Sequence, residues 1–303
     1  MNSTFMWPQV EINSATVTCD NTVVSDIEEY FSSLYSPYKV LYFSRARVAL
    51  MAISAAKKLS RPQRTFVQPF SSHCVLSAIS HLSTPTTTQP KNSTQQVIYH
   101  QWGHKTLANK ETYSNVLVED AVDSLILTNE HSELFPNNAP FCIISLPKIC
   151  EASIGAIVIC QQSEEYQQLK IERENMEQDS RSIIANINTT IFKEPILQAI
   201  PTLAPVINKS IQTLIEDAAK KIQLNLANIA QLYPKLTLSP ELSTKRLPSN
   251  VIIKQTQYTE QELFSKAPFE VAEQQRTFFN YQHQLNERGW LLPCRCQAQW
   301  ASK

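Results

Sequence analysis

Phe141-Cys142-Ile143-Ile144-Ser145-Leu146-Pro147-Lys148 begins with four apolar residues, two of them β-branched, and ends in a serine, a proline and a lysine. The apolar part does not alternate with polar residues, which is how a strand covered on both faces reads. Such strands belong to mostly parallel sheets flanked by helices. Ligands of those sheets collect just beyond the carboxyl ends of the strands, so the polar residues after the run are the first place to look for chemistry.

Val116–Val118 and Ala156–Cys160 read the same way, and Thr65–Val67 and Val97–Tyr99 add two shorter strands. Helical spacing separates several of them. Ala49, Leu50, Ala52, Ile53, Ala56 and Leu59 form one pattern before Arg61-Pro62, and Val75, Leu76, Ile79 and Leu82 form another after Ser71-Ser72-His73. The polar stretch Ser83–Gln96, with its two prolines, reads as a loop. Strand and helix in alternation predict an α/β fold.

Composition shifts near residue 163, where SEEYQQLKIERENMEQDSR predicts a charged helix that could bridge two bodies. Ile207, Ile211, Leu214, Ile215, Ala218, Ile222, Leu226 and Ile229 form a helical stripe that is interior or interface. Val251–Trp290 predicts a small α+β tail with one strand and one or two helices. The chain then divides into residues 1–165 and 166–303.

The 303 residues include 27 basic and 27 acidic side chains, which removes the electrostatic footprint of a general nucleic-acid binder. The start MNSTFMWPQVEI lacks a charged and then apolar leader, and no apolar stretch approaches a membrane span, so the expectation is a cytoplasmic protein without membrane contact. Seven cysteines do not pair evenly, and Cys19, Cys74, Cys142, Cys150 and Cys160 read as buried thiols. Cys294-Arg295-Cys296 lacks a second ligand pair, so no metal site is expected. Three glycines, where average usage of about 7% gives roughly twenty, exclude a fold built on Gly-rich loops.

Four polar places lie next to the predicted strands and helices. Arg45-Ala46-Arg47 starts the first helix, where free N–H groups and the helix dipole suit a phosphate, or where Arg47 is simply solvated. Ser71-Ser72-His73 follows Pro69. Asp120 ends a strand, either to pair with a protonated ring nitrogen or to cap a helix beginning at Ala121. Lys148 follows a buried strand, either as a desolvated nucleophilic amine or as a snorkelling side chain. Taken in order, the four supply what holding pyridoxal 5'-phosphate as a Schiff base requires.

On these residues the chain resembles a divergent, shortened member of the DegT/DnrJ/StrS family of sugar aminotransferases, in the fold-type I pyridoxal-phosphate class. Ala46-Arg47-Val48-Ala49-Leu50 is similar to the family's phosphate-binding helix start, and Gln68-Pro69-Phe70-Ser71-Ser72-His73 to its aromatic turn. His100-Gln101-Trp102-Gly103 resembles its His-x-x-Gly strand end, and Val118-Glu119-Asp120-Ala121 its Glu-Asp-Ala motif. Ser145-Leu146-Pro147-Lys148 with Ile154-Gly155-Ala156 is similar to the run around the cofactor lysine.

The resemblance implies a large cofactor-binding domain with a small α+β C-terminal domain, and a homodimer. It implies Lys148 as the Schiff-base lysine, Asp120 on the ring nitrogen and His73 stacked on the ring. Ser145, Ser72, Ala46 and Arg47 would lie around the phosphate, and Asp123 near the phenolic oxygen. A keto nucleotide sugar would be the acceptor and glutamate the usual amino donor, for amino-sugar and surface polysaccharide biosynthesis. The pattern departs from the family at Ala46 and Ile154, where glycines are usual, and at Asp123, where glutamine or histidine is usual. The stretch from His73 to Val97 is also short for the family's strand-and-helix insert. These departures leave open a second reading, a family member that has lost catalysis and serves as a binding or assembly protein.

Overall fold

The computed structural model describes residues 21–88, 92–186, 200–205, 207–236, 245–254, 257–265, 275–283 and 285–295. Cys19 and Cys296 lie outside them. In chain order the strands are β1 Lys39–Phe43, β2 Arg64–Val67, β3 Thr84–Thr86, β4 Gln95–Tyr99, β5 Val116–Asp120, β6 Ser124–Ile126, β7 Phe141–Ser145, β8 Ala156–Cys160, β9 Arg246–Pro248, β10 Asn250–Lys254, β11 Gln275–Asn280 and β12 Leu285–Pro293. The helices are α1 Asn21–Leu34, α2 Ala46–Ala56, α3 His73–Ser80, α4 His131–Leu134, α5 Leu146–Ile149, α6 Ser163–Asn186, α7 Ile211–Leu232 and α8 Glu260–Phe264.

The central sheet has seven strands in the order β1-β8-β7-β5-β4-β2-β3. All five apolar runs predicted as strands lie in it. Their lack of alternation has a direct cause, because each face of the sheet carries helices. Tyr42, Cys142, Ile144, Ile157 and Ile159 pack with Ile27 and Phe31 of α1 and Ile215 and Ile222 of α7. Leu41, Phe43, Phe141, Ile143 and Val158 pack with Ala49, Ile53 and Leu169 from α2 and α6 on the other side. Each fully buried large side chain of this kind contributes about 1.5–3 kcal/mol. The stripe of α7 is therefore interior.

Five expectations are corrected. The polar segment Ser83–Gln96 contains β3, which pairs in parallel with β2 at the sheet edge. Pro85 fits there because an edge strand has a side that needs no donor. Helix α3 and strand β3 thus both fit between His73 and Val97. Strand β8 runs antiparallel to β7 and β1, since the ten residues from Leu146 to Gly155 are too few for a helical crossover. No helix begins at Ala121. That residue donates to Ile143 O, and a turn leads to β6.

The tail has three strands, not one, in the order β10-β12-β11, with the single short helix α8 among its described residues. Strand β9 returns to pair with β6, placing residues 246–248 beside the end of β5. The thiols of Cys142, Cys150, Cys160 and Cys294 are buried and Cys74 is half-buried, none of them in a disulfide among the described residues. Burial pushes the thiols of Cys142, Cys160 and Cys294 well above their usual range, so they remain protonated.

Candidate active site

Strands β5 and β7 are neighbours with Asp120 opposite Ile143, so the segments leaving their carboxyl ends meet at one end of the sheet. The turn after β5 carries Asp123, and α5 after β7 carries Lys148. The Lys148 Nζ lies 3.1 Å from Asp123 Oδ2. The Asp123 side chain is 1% exposed and that of Lys148 25%, so the amine reaches solvent and the carboxylate does not.

Several groups fix Asp123. Tyr99, the last residue of β4, donates its hydroxyl to the same Oδ2 at 2.5 Å. Ser249 donates its hydroxyl to Oδ1 at 3.4 Å and its backbone N–H to the Asp123 carbonyl at 2.9 Å. Gly103 sits against that carbonyl with φ +99°, where a Cβ would lie 2.4 Å from the Asp123 oxygen and 2.5 Å from Pro248 Cα. Glycine is required there twice, by its φ and by the close approach.

Asp120 is 4% exposed. Burial pushes its carboxyl up to about 6, with the Lys148 ammonium pulling the other way and Asp123 adding to the rise. Among the described residues its hydrogen bond is a long one, from Val122 N–H at 3.4 Å. Behind it Glu119, which alternates to the other face of β5, accepts from the Asn137 side chain at 2.9 Å. Its Oε2 lies 3.1 Å from His100 Nε2. Burial takes His100 down to about 4, so at neutral pH this contact joins a neutral ring to a carboxylate.

The other expected residues fall into two groups. Ala46 and Arg47 form the first turn of α2, whose N-cap Arg45 makes no side-chain cap. Gly155 links this helix start to α5, because its N–H donates to Ser44 O at 2.8 Å and its carbonyl accepts from Leu146 N at 2.9 Å. Ser145, at the end of β7, is therefore close in topology to Ala46 and Arg47. Ser72 and His73 stand apart at the start of α3, both exposed. The Ser72 hydroxyl is 3.1 Å from the Cys74 thiol.

Tyr99 and Ser249 were not expected. Tyr99 carries the signal used for Lys148, a polar group ending a buried strand, whereas Ser249 comes to the site only through the β6–β9 pairing. A cleft of about 460 Å³ opens beside Tyr99, lined by Gln68, Phe70, Trp102, Arg276 and Arg288 among others. Phe70 and Trp102 both take left-handed backbone angles, φ +67° and +59°. Strain of this kind gathers at ligand-binding positions.

The residues present fit pyridoxal phosphate. The first N–H groups of a helix have no intrahelical partner, and at α2 they lie next to the Ser44 hydroxyl, which is fully buried and has no partner among the described residues. Asp120 supplies a buried carboxylate for a protonated ring nitrogen, and Lys148 a solvent-reaching amine. Among the described residues no cluster of His, Cys, Asp and Glu is placed to hold a metal, and no helix is long and apolar enough to cross a membrane.

Asp120→Asn checks the electrostatics. A carboxyl that titrates near 6 when folded and near 3.8 when unfolded opposes folding above pH 6 by up to about 3 kcal/mol. That cost fades as the pH falls towards 4. In the cofactor-free protein Asp120→Asn should raise the denaturant midpoint at pH 8 and change it little at pH 4. It should also remove the extra stability conferred by added cofactor. Equal destabilisation at both pH values would contradict this account.

The chain is similar to several solved structures and spans most of each. Against DesV of S. venezuelae, in complex with a ketimine intermediate, it is 11% identical, covering 91% of this chain and 85% of that one with a TM-score of 0.53. PseC of Helicobacter pylori, an aminotransferase involved in pseudoaminic acid biosynthesis, gives 14%, 91%, 87% and 0.52. A DegT DnrJ EryC1 StrS aminotransferase from Brucella abortus gives 11%, 86%, 75% and 0.51. At these identities the likeness shows the fold, that of fold-type I enzymes. No curated protein sequence matches the chain. A family model described as "Putative PLP-dependent aminotransferase" matches residues 27–290. The chain belongs to that family of pyridoxal-phosphate-dependent aminotransferases.

Proposed function

We propose that this aminotransferase moves an amino group from a donor such as glutamate to a keto nucleotide sugar, with Lys148 as the lysine that joins the cofactor. The observation that carries the acceptor class is the cleft at the ends of β2 and β4. Arg276 and Arg288 line it, and among the described residues no carboxylate does, which suits phosphate oxygens. Phe70, 63% exposed, and Trp102 offer aromatic faces for a planar base. Gln68 is buried with its Oε1 unpaired among the described residues, ready to accept from a ligand hydroxyl or amine.

When bound, pyridoxal phosphate withdraws electrons from the donor's Cα–H bond. Asp120 keeps the proton on the ring nitrogen. Ser44, Ser145 and the N–H groups of Ala46 and Arg47 would hold the phosphate, while Ser72 and His73 would reach the cofactor from the segment after β2. Lys148 takes the proton from Cα and returns it, and Asp123 is where its amine rests. Residues 1–165 form the cofactor-binding part and 166–303 the helical link and small domain, in a cytoplasmic homodimer that makes amino sugars for surface polysaccharide.

The test is to incubate the purified chain with pyridoxal phosphate, reduce with borohydride and digest. The expected result is a phosphopyridoxyl group on the peptide bearing Lys148, and transfer from glutamate to a nucleoside-diphosphate keto sugar. A protein that takes up no cofactor would overturn the assignment. Transfer to simple 2-oxo acids alone would overturn the acceptor class.

A further inference from the structure

One carboxylate oxygen of Asp123 serves two donors. Oδ2 accepts from Lys148 Nζ at 3.1 Å and from Tyr99 Oη at 2.5 Å. The direction of the second bond is fixed, because the Tyr99 oxygen itself accepts the Trp102 N–H at 3.2 Å and so turns its own proton towards Asp123. The left-handed turn at Trp102 makes that arrangement, and the Tyr99 backbone N–H is tied to the Tyr281 hydroxyl at 3.1 Å. Burial and then the Asp123 charge push the Tyr99 phenol well above its usual range, so it donates throughout the working pH range.

We propose that Tyr99 is a positioning residue for Lys148, setting how tightly Asp123 holds the lysine amine by sharing the oxygen that binds it. The proposal rests on the reading of Lys148 as the reacting amine, and its geometry stands without the cofactor. A carboxylate that already accepts a short hydrogen bond is a weaker partner for an ammonium. Before Lys148 can react, one N–H bond of its ammonium must break, and the proton passes to water, which reaches the amine, while Tyr99 keeps its own and Asp123 stays a carboxylate. When the amine then leaves, Tyr99 and Ser249 still satisfy the carboxylate, which has no solvent to turn to. Asp123 therefore stays in place for the lysine's return.

Among the described residues the charged and titratable groups facing the amine include Asp123 and Asp120 from the end of β5 and, through Asp123, Tyr99 from β4. The test needs no cofactor. Cyanate carbamoylates only the neutral amine, and its rate at Lys148 can be followed against pH by peptide mass. Asp123→Asn removes the charge and should move the half-maximal pH down by about one unit or more. Tyr99→Phe leaves the carboxylate undamped and should move it up.

Opposite shifts are the expected result, and a purely structural role would not produce them. Ser249→Ala, which removes the weaker donor on Oδ1, should move the midpoint in the same direction as Tyr99→Phe by less, and serves if Tyr99→Phe does not fold. Unchanged midpoints, or shifts of one sign in Asp123→Asn and the donor variants, would overturn the proposal. A protein showing the opposite shifts but no uptake of pyridoxal phosphate would keep Tyr99 in this role and remove the cofactor reading instead.

Discussion

Lys148→Ala should abolish amino-group transfer, by at least about 10³-fold, while the chain still folds. The size follows from two losses at one atom. On the proposed role of Lys148 the protein would lose the amine that joins the cofactor and the base that moves the proton at Cα, and a positioned proton-transfer group alone is worth about 10²–10⁴-fold. Lys148→Arg should fare no better in turnover, since a guanidinium neither releases its proton near neutral pH nor attacks a carbonyl. The two variants should differ in stability. Alanine leaves Asp123, 1% exposed, without its cation, at a cost of about 1–3 kcal/mol, whereas arginine keeps a charge near it. Denaturant midpoints and glutamate turnover measured on the same preparations check both statements. Turnover by Lys148→Ala comparable to the parent would remove Lys148 from the mechanism.

The parts of the fold legible in the sequence were those in which burial alone decides the pattern. Phe141–Ile144 and Ala156–Cys160 could be read as strands because residues on both sides must be apolar when helices cover both faces. That reading carries no strand direction, which depends on the length of the connection, and β8 is antiparallel for that reason. The polar edge strand β3 has no apolar run to betray it, and β11 and β12 bury mainly Phe278-Phe279 and Gly289–Pro293 after more exposed, mostly polar beginnings, so neither reads as an apolar strand along its length. The same division holds in the candidate site. Asp120 ends a buried strand, Lys148 comes three residues after the end of another, and Asp123 comes three residues after Asp120, so position along the chain marks all three. Ser249 is brought to Asp123 by β9 pairing with β6, a long-range contact that no local pattern encodes, and Gly103 by the parallel pairing of β4 with β5.

Gly103→Ala should therefore damage the site through the fold, with a loss of about 2–6 kcal/mol. Two costs combine. At φ +99° an L side chain is strained, worth about 1–3 kcal/mol, and the added methyl meets backbone on both sides. The Asp123 carbonyl oxygen at 2.4 Å and Pro248 Cα at 2.5 Å cannot swing aside as a flexible side chain would. Forcing the two apart adds about 1–3 kcal/mol more, and the displaced groups matter. The Asp123 carbonyl is the acceptor for Ser249 N–H, and its carboxylate is the partner of Lys148 and Tyr99. Gly103→Ala should lower the denaturant midpoint and also bring the pH profile of Lys148 carbamoylation towards that of Asp123→Asn, although residue 103 touches neither the amine nor the carboxylate. A variant as stable as the parent to within about 0.5 kcal/mol, with the parent's pH profile, would show that the turn bearing Asp123 gives way without consequence. The scarce glycine beside it would then have no steric role.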